Sequence, residues 1–314
     1  MTSINEGFID LQVNGYGGID FNQDHLTAEQ LHAACERLTA DGTAGVLATI
    51  ITEKLDTMCQ RLKRLAELRA ADPLAAKIIL GFHVEGPFLN PATGFRGAHP
   101  VDAIRLAGEA EAQHLLDAGG GLIRIITLAP ERDPDCRVTR MLVRRGIIVS
   151  AGHSDASLDQ LKAACDAGVS LFTHVGNGCP KQLLRHDNIV QRALSLYDRL
   201  WLCFIADGHH VPFPALGNYL RAASLSRCIV VTDAIAPAGL GPGCYTLGRW
   251  AVRVDADMVA RSPDGEHFLG AAITMRQSQF NLTTALGLSD EQCRTLLVDN
   301  PQRALAGAAP NRQM

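Results

Sequence analysis

The sequence predicts a (β/α)8 barrel, and three observations carry that prediction. Eight short apolar runs recur along the 314 residues, separated by stretches of helical period. Gly42, Gly146 and Gly168 each fall between a helical stretch and the next run, where a left-handed residue commonly ends a helix. Several runs close on an acidic or metal-competent side chain: Gln12, Asn14, Glu85, His153, His174 and Asp233. In a barrel of parallel strands such ends converge on one pocket, so residues far apart in sequence can meet. An open doubly wound sheet shares the βα rhythm and is the alternative architecture.

Taken in order, the predicted strands are 7–13, 44–51, 78–85, 122–128, 147–153, 169–174, 200–206 and 228–233. The first is followed by an amphipathic segment, 27–41, with Thr27 placed to cap it, and the second by another at 55–71. The third ends on Glu85, where Gly86-Pro87 stops the strand. Segment 155–167, with Asp155 as its expected N-cap, separates the fifth and sixth strands, and 214–223 separates the last two. Beyond the eighth, 237–243 is rich in Gly and Pro. Residues 243–262 then alternate as a β-hairpin insertion with its turn at Asp255-Ala256, before the chain returns to C-terminal helices. No linker or low-complexity stretch interrupts this order, so residues 1–314 are expected to form a single catalytic domain.

Composition narrows the function. Hydrophobic residues make up 47% and charged residues 20%, an ordinary balance for a globular core. A net charge of -4 offers no extended basic surface, which disfavours nucleic acid or an anionic membrane as partner and favours a small molecule. The nine cysteines form no CxxC pair and are expected to be reduced in a cytoplasmic protein. The opening residues have no basic patch followed by an apolar stretch, and no apolar run approaches the roughly 20 residues that span a bilayer.

The chemistry is expected at three strand ends. Glu85, His153 and His174 offer one carboxylate and two imidazoles, a donor set that binds a catalytic zinc and leaves a position for water. Asp233, at the last strand end, is placed to act as general base toward that water. The bland alternative is that each histidine is a satisfied structural residue and Asp233 a loop brace. Three suitable ligands at separate strand ends argue against it.

The motifs Gly7-Phe8-Ile9-Asp10-Leu11-Gln12-Val13-Asn14-Gly15, His83-Val84-Glu85-Gly86-Pro87, Gly152-His153-Ser154, Thr173-His174, Ala206-Asp207-Gly208-His209-His210-Val211 and Val231-Thr232-Asp233-Ala234 resemble the N-acetylglucosamine-6-phosphate deacetylase family of the amidohydrolase superfamily. They occur in the family's order and span nearly the whole chain. The resemblance implies one divalent ion per chain, with zinc the first expectation, held by Glu85, His153 and His174, and Asp233 as acid and base. Gln12-x-Asn14 stands where many amidohydrolases have His-x-His, which implies a single tight metal site. The resemblance further implies that His99 and His210 contact the sugar or polarise the acetyl carbonyl. It places backbone N–H groups of Gly176, Asn177 and Gly178 at an anion site, and pairs Arg185 with a phosphate.

Two departures from the family pattern stand out. The first predicted strand begins within ten residues of Met1, so the family's small β-sandwich is expected to be largely absent. The barrel surface it normally covers would then be shielded in a homodimer. The loop after His174 reads Val175-Gly176-Asn177-Gly178-Cys179-Pro180 instead of an aromatic-Asn-Ala-Met run. The expected reaction is metal-dependent hydrolysis of N-acetylglucosamine 6-phosphate to glucosamine 6-phosphate and acetate. The rivals are a related amidohydrolase acting on another N-acyl or cyclic amide, and a non-catalytic sugar-phosphate binder.

Overall fold

The computed structural model describes residues 7–262 and 268–307. Eight parallel strands follow one another around the sheet in chain order. They are β1 (Phe8–Val13), β2 (Thr43–Ile51), β3 (Ile79–Glu85), β4 (Ile123–Leu128), β5 (Ile148–Ala151), β6 (Val169–Phe172), β7 (Trp201–Ile205) and β8 (Cys228–Val231). The ring closes between its first and last strands. Val13 bridges Ala234, the Asn14 N–H donates to the Ala234 carbonyl at 2.6 Å, and Thr232 donates its hydroxyl to the Asp10 carboxylate at 2.5 Å. The predicted (β/α)8 barrel is the observed fold.

The strands are buried on both faces, which is why their sequences read as nearly continuous apolar runs. Leu47, Ile125, Leu171, Trp201, Cys203, Ile205, Ile229 and Val231 pack together in the barrel interior. The alternate residues, among them Val46, Ala48, Ile50, Phe82, Val84, Ile126 and Leu128, pack outward against the helices. Helix α1 (Ala28–Ala40) buries Leu31, Ala34, Cys35 and Leu38, and α2 (Leu55–Ala71) buries Met58, Leu62, Leu65 and Leu68. That spacing of three and four residues is one stripe of a helix laid on the sheet. Completing the outer layer are α3 (Glu109–Ala118), α4 (Arg137–Arg144), α5 (Leu158–Ala167), α6 (Ile189–Ser195), α7 (Phe213–Ala223) and α8 (Met275–Leu286).

Three local expectations are corrected. The strands predicted to run to His153, His174 and Asp233 end two residues earlier, because these residues have φ of 50°, 29° and 51° and cannot continue an extended strand. The cap of α5 is Ser157, not Asp155. Its hydroxyl accepts the Gln160 N–H at 3.2 Å while the Gln160 side chain accepts the Ser157 N–H at 2.8 Å, a reciprocal capping box. Asp155 instead gives its N–H to Glu131 at 2.7 Å.

The third correction concerns the hairpin. Strands β9 (Gly243–Leu247) and β10 (Trp250–Val254) pair antiparallel with Leu247 opposite Trp250, so the turn lies at Gly248-Arg249. Gly248 takes φ of 55°, which a turn of this tightness requires. The predicted turn at Asp255-Ala256 begins the connection to a third short strand, β11 (Ala260–Arg261). Leu247, Val252 and Val254 pack with Ile51, Ile235 and Leu269, and Arg249 forms ion pairs with Glu53 and Asp102. The hairpin is thereby fixed to loops that follow β2 and β3.

Reassigning the α5 cap gives a direct test by urea unfolding. Ser157→Ala should lower the unfolding free energy by about 1 kcal/mol. Asp155→Ala, which removes an exposed pairing with Arg192 at 3.3 Å, should cost less than about half of that. Equal losses, or a larger one for Asp155, would restore Asp155 as the cap.

Candidate active site

Strand β3 delivers Glu85 as its last residue, 3% exposed, to the centre of the barrel mouth. A buried carboxylate must be paired or heavily hydrogen-bonded. Its Oε1 accepts the Gln12 amide N–H at 3.1 Å and lies 2.9 Å from His174 Nε2 and 3.4 Å from His153 Nε2. The other oxygen, Oε2, lies 3.7 Å from His99 Nε2. Gln12 is itself held, since the Thr173 hydroxyl donates to its amide oxygen at 2.6 Å. Gln12 and Asn14 act through this geometry as amide donors to carboxylates: Asn14 Nδ2 donates to Asp233 Oδ1 at 2.7 Å.

His153 is the most firmly positioned imidazole. Its Nδ1 donates to the Phe95 carbonyl at 2.8 Å, and its Nε2 faces Glu85 and His99. A Cβ at Gly97 would come within 3.0 Å of this ring and one at Gly178 within 2.9 Å, so only glycine allows both backbones to approach it. Left-handed backbone at His153, His174 and Asp233 turns each side chain inward just after its strand. Such conformations cost on the order of 1–3 kcal/mol for non-glycine residues and persist where surrounding structure imposes them.

Electrostatics divides the groups into two kinds. Burial pushes the Glu85 carboxyl up, but hydrogen bonds and charge from His153 and His174 outweigh it and hold the group well below the usual carboxylate range. Burial lowers His174 while the bond to Glu85 more than offsets it, leaving its pKa raised. Burial, reinforced by charge on His153, pushes His99 down to about 3, so it stands as a neutral donor. Asp233 moves the other way, to about 6, through burial and the nearby Glu85 charge. A base tuned toward neutrality beside an ionised carboxylate is the division that proton transfer near pH 7 needs.

The donor set suits a divalent metal. Ligating atoms of Glu85, His99 and His153 lie within 4.8 Å of one another, and all three residues are buried. His99 and His153 place their Nε2 atoms 3.2 Å apart, a separation that a shared proton or a common cation resolves. Carboxylate oxygen with imidazole nitrogen is a zinc-type set that also suits neighbouring divalent metals. His174, the third predicted ligand, lies outside this group of three, although its Nε2 is 2.9 Å from Glu85 Oε1. His99, expected to touch the sugar, stands within the group.

A cavity of about 1030 Å³ opens over these groups and is lined by Asn14, Glu85, His99, His153, His174 and Asp233. Gly176, Asn177, Gly178 and His210 also border it, as expected, although the Asn177 N–H is already donated to the His174 carbonyl at 2.9 Å. Arg185 is exposed and does not line the cavity. The cation in this loop that does is Lys181.

Two supporting residues escaped sequence reasoning. Asp207 accepts His210 Nδ1–H at 2.6 Å and the N–H groups of His209 and His210 at 2.9 and 2.8 Å, fixing the imidazole so that Nε2 is free. The Asp-x-x-His spacing was the available signal. Glu131 accepts from Ser154 Oγ at 2.6 Å, the Asp155 N–H at 2.7 Å and Asn90 Nδ2 at 2.8 Å, while the Asn90 N–H donates to the His153 carbonyl at 3.0 Å. It braces the loop of His153 from three sides, and its position on a short 3-10 turn carries no sequence signature. His83, within a recognised motif, is structural: its two nitrogens meet the Leu11 carbonyl at 3.0 Å and the Thr127 hydroxyl at 2.7 Å.

No family model matches the chain. Over 298 residues it is 30% identical to N-acetylgalactosamine-6-phosphate deacetylase of Escherichia coli O157:H7, covering 95% of this chain and 77% of that relative. It is 35% identical over 251 residues to N-acetylglucosamine-6-phosphate deacetylase of Bacillus subtilis, covering 79% of this chain and 62% of the other. Several curated relatives are thus matched over less than two thirds of their own length. Among solved structures, a mutant N-acetyl-D-glucosamine-6-phosphate deacetylase of Mycobacterium smegmatis in complex with N-acetyl-D-glucosamine-6-phosphate superposes with a TM-score of 0.87 at 30% identity, covering 96% of this chain and 77% of that one. The Thermotoga maritima deacetylase superposes with a TM-score of 0.83 at 27% identity, covering 98% and 80%. With its barrel, its clustered carboxylates and imidazoles, and these relationships, the chain belongs to the N-acetylglucosamine-6-phosphate deacetylase family of hydrolases.

Proposed function

We propose that the protein hydrolyses the N-acetyl amide of a hexosamine 6-phosphate, with N-acetylglucosamine 6-phosphate as the first substrate to test, giving acetate and the free amine. The observation that carries this reading is Asp233. Its carboxyl is pushed up to about 6, held by Asn14 and turned into the cavity beside Glu85 and three imidazoles. Glu85, His153 and His174 would hold one divalent ion, zinc by preference, which when bound supplies Lewis acidity toward the acetyl carbonyl and acidifies the attacking water.

The chain's own residues do the rest. Asp233 accepts the proton of the attacking water as the water oxygen bonds to the carbonyl carbon. It then delivers that proton to the amide nitrogen as the C–N bond breaks, because an unprotonated amine anion is a very poor leaving group. His210, its Nδ1 committed to Asp207, presents Nε2 to the substrate. Neutral, it accepts a sugar hydroxyl; protonated, it polarises the carbonyl. Gln12 holds Glu85 in register with the histidines.

For the phosphate, Lys181 is the cavity-lining cation of this loop, and Gly176 and Gly178 border the same space. Arg185 keeps the phosphate role proposed from the resemblance only if the bound loop brings it inward. The sugar's configuration has a second reading, because a relative named for N-acetylgalactosamine 6-phosphate matches 95% of this chain. A cytoplasmic homodimer fits the unpaired state of all nine cysteines and exposed apolar side chains such as Leu184, at 71% exposure. No helix among the described residues is long and apolar enough to cross a membrane.

Three measurements test this reading. Asp233→Asn should retain fold and one ion per chain by elemental analysis while kcat falls on the order of 10²-fold or more, since the amide cannot accept the proton. Near-native turnover would remove Asp233 from the mechanism. Because the base must be ionised, kcat should be flat near neutrality and fall as pH drops through about 6, a limb that a bound cation moves lower still. An acid limb centred well above that value would assign the base elsewhere. Lys181→Ala should raise KM roughly ten-fold or more for the phosphorylated sugar and leave the unphosphorylated sugar nearly unchanged, with Arg185→Ala smaller in effect. Equal losses on both sugars, or no wild-type preference for the phosphorylated one, would favour a deacylase of a different N-acyl compound.

A further inference from the structure

We propose that Ile51 and Leu247 form a closed apolar wall that receives the acyl substituent of the substrate and limits it to a short group. The inference rests on the deacylase reading above and names what sets the acyl selectivity of that reaction.

Among the described residues at or just beyond the strand ends, those that line the cavity are Asn14, Glu85, His153, His174, Asp233 and Ile51. Five are polar and Ile51, the last residue of β2, is not. Ile51 is the register partner of Glu85 on the neighbouring strand, so the two side chains leave the sheet on the same face. Its place is fixed, because the Ile51 N–H donates to Asn22 Oδ1 at 2.9 Å and the Thr52 hydroxyl donates to the Glu85 carbonyl at 3.0 Å. A side chain so placed neither holds a metal nor moves a proton. It contributes apolar contact beside the reacting groups.

Leu247, the last residue of β9, completes the wall. The turn after it is held by the Gly248 N–H on Asp20 Oδ2 at 2.7 Å and by the ion pairs of Arg249 with Glu53 and Asp102. Leu247 and Ile51 pack in one cluster with Ile235, two residues beyond Asp233. The Ile235 N–H donates to the Ala271 carbonyl and the Ala271 N–H to the Asp233 carbonyl, each at 3.0 Å. The wall is thus tied to the backbone of Asp233 as well as to that of Glu85. Ile51 and Leu247 both line the cavity, yet they are only 6% and 3% exposed, so the corner between them is narrow. Val252, Leu269 and Ala272 fill the same cluster and leave the two side chains little room to retreat.

One part of the substrate suits this corner. Against two aliphatic side chains the hydroxyls and phosphate of a hexosamine 6-phosphate would lose water without gaining partners, whereas an acyl methyl gains by the contact. Polar partners for the sugar line the cavity elsewhere, at Asn177, Lys181, His209 and His210. Leu183 and Tyr219 also line it but stand with that polar loop. Leu183 is two residues after Lys181, and a Cβ at Gly176 would come within 3.8 Å of Tyr219. With the amide carbonyl carbon between Glu85 and Asp233, the acyl substituent meets Ile51 and Leu247.

The test measures kcat/KM of the full, metal-loaded chain on N-formyl, N-acetyl, N-propionyl and N-butyryl glucosamine 6-phosphate. In the wild type each methylene beyond acetyl should lower kcat/KM about ten-fold or more, within the range one methylene commands in an apolar pocket. Ile51→Ala and Leu247→Ala should each raise the propionyl-to-acetyl ratio roughly ten-fold or more. Leu247→Phe should move the preference from acetyl toward formyl. Leu183→Ala, beside the polar loop, should leave the ratios where they are. Each ratio is taken within one preparation, so a loss of folded protein in a variant does not alter it. A wild type that turns over the butyryl compound as well as the acetyl one, or ratios unmoved in both alanine variants of the wall, would overturn the proposal. An equal change in Leu183→Ala would do so too, by placing the acyl group on the other side. If the wild type hydrolyses no member of the series, the deacylase reading fails and this inference falls with it.

Discussion

A single ionised carboxylate, Glu85, is buried at 3% exposure in the mouth of the barrel, and most of the site is arranged to make that burial tolerable. Without compensation, a charge in such a place costs several kcal/mol. Gln12 reaches it from β1, His174 and His153 from the ends of β6 and β5, and His99 from the connection after β3. The contacts from Gln12, His153 and His174 each fix a different strand relative to β3, so satisfying the charge also sets the relative heights of the strands at one face. Asn14 does for Asp233 what Gln12 does for Glu85. The first strand therefore supplies neutral amide N–H groups to two carboxylates that would repel each other if left unsupported.

Barrel closure obeys a similar constraint. Asp10 lies buried where the ring meets itself, accepting the Thr232 hydroxyl at 2.5 Å and the N–H groups of Thr232 and Gln12 at 3.2 Å each. Burial pushes its carboxyl up to about 7 against those hydrogen bonds. A carboxyl whose folded pKa is raised contributes stability that is present below its ordinary value near 4 and is lost as pH rises through about 7. The seam between β1 and β8 is thus held by a group that resists ionisation. Two residues on from each side of that seam stand Gln12 and Ala234, so the closure and the catalytic face share the same short stretch of chain.

Much of this was legible in the sequence because barrels couple burial pattern to topology. All eight predicted runs correspond to observed strands, since strands covered on both faces read as apolar blocks whatever their neighbours do. Glu85, His153, His174 and Asp233 stood out because polar residues closing such blocks have few structural uses. The misses have local causes. Ser157 and Asp155 are both good capping residues two positions apart, and composition does not say which one adopts the capping geometry. The left-handed turns at His153, His174 and Asp233 carry no glycine to mark them. Asp207 and Glu131 lie in loops, where the path of the chain is set by tertiary contacts that a single sequence does not display.

Consider finally where the hairpin is tied down. Arg249, at its turn, pairs with Glu53 and with Asp102, and Asp102 lies three residues beyond His99 on the same connection. Leu247, one residue before the turn, lines the cavity. The ceiling of the cavity and the segment carrying His99 are therefore parts of one braced frame. Lengthening or trimming the hairpin would change more than the shape of the opening. Through the guanidinium it would shift the resting place of an imidazole beside Glu85, so that variation in a peripheral loop reaches the reaction centre through the Arg249–Asp102 ion pair.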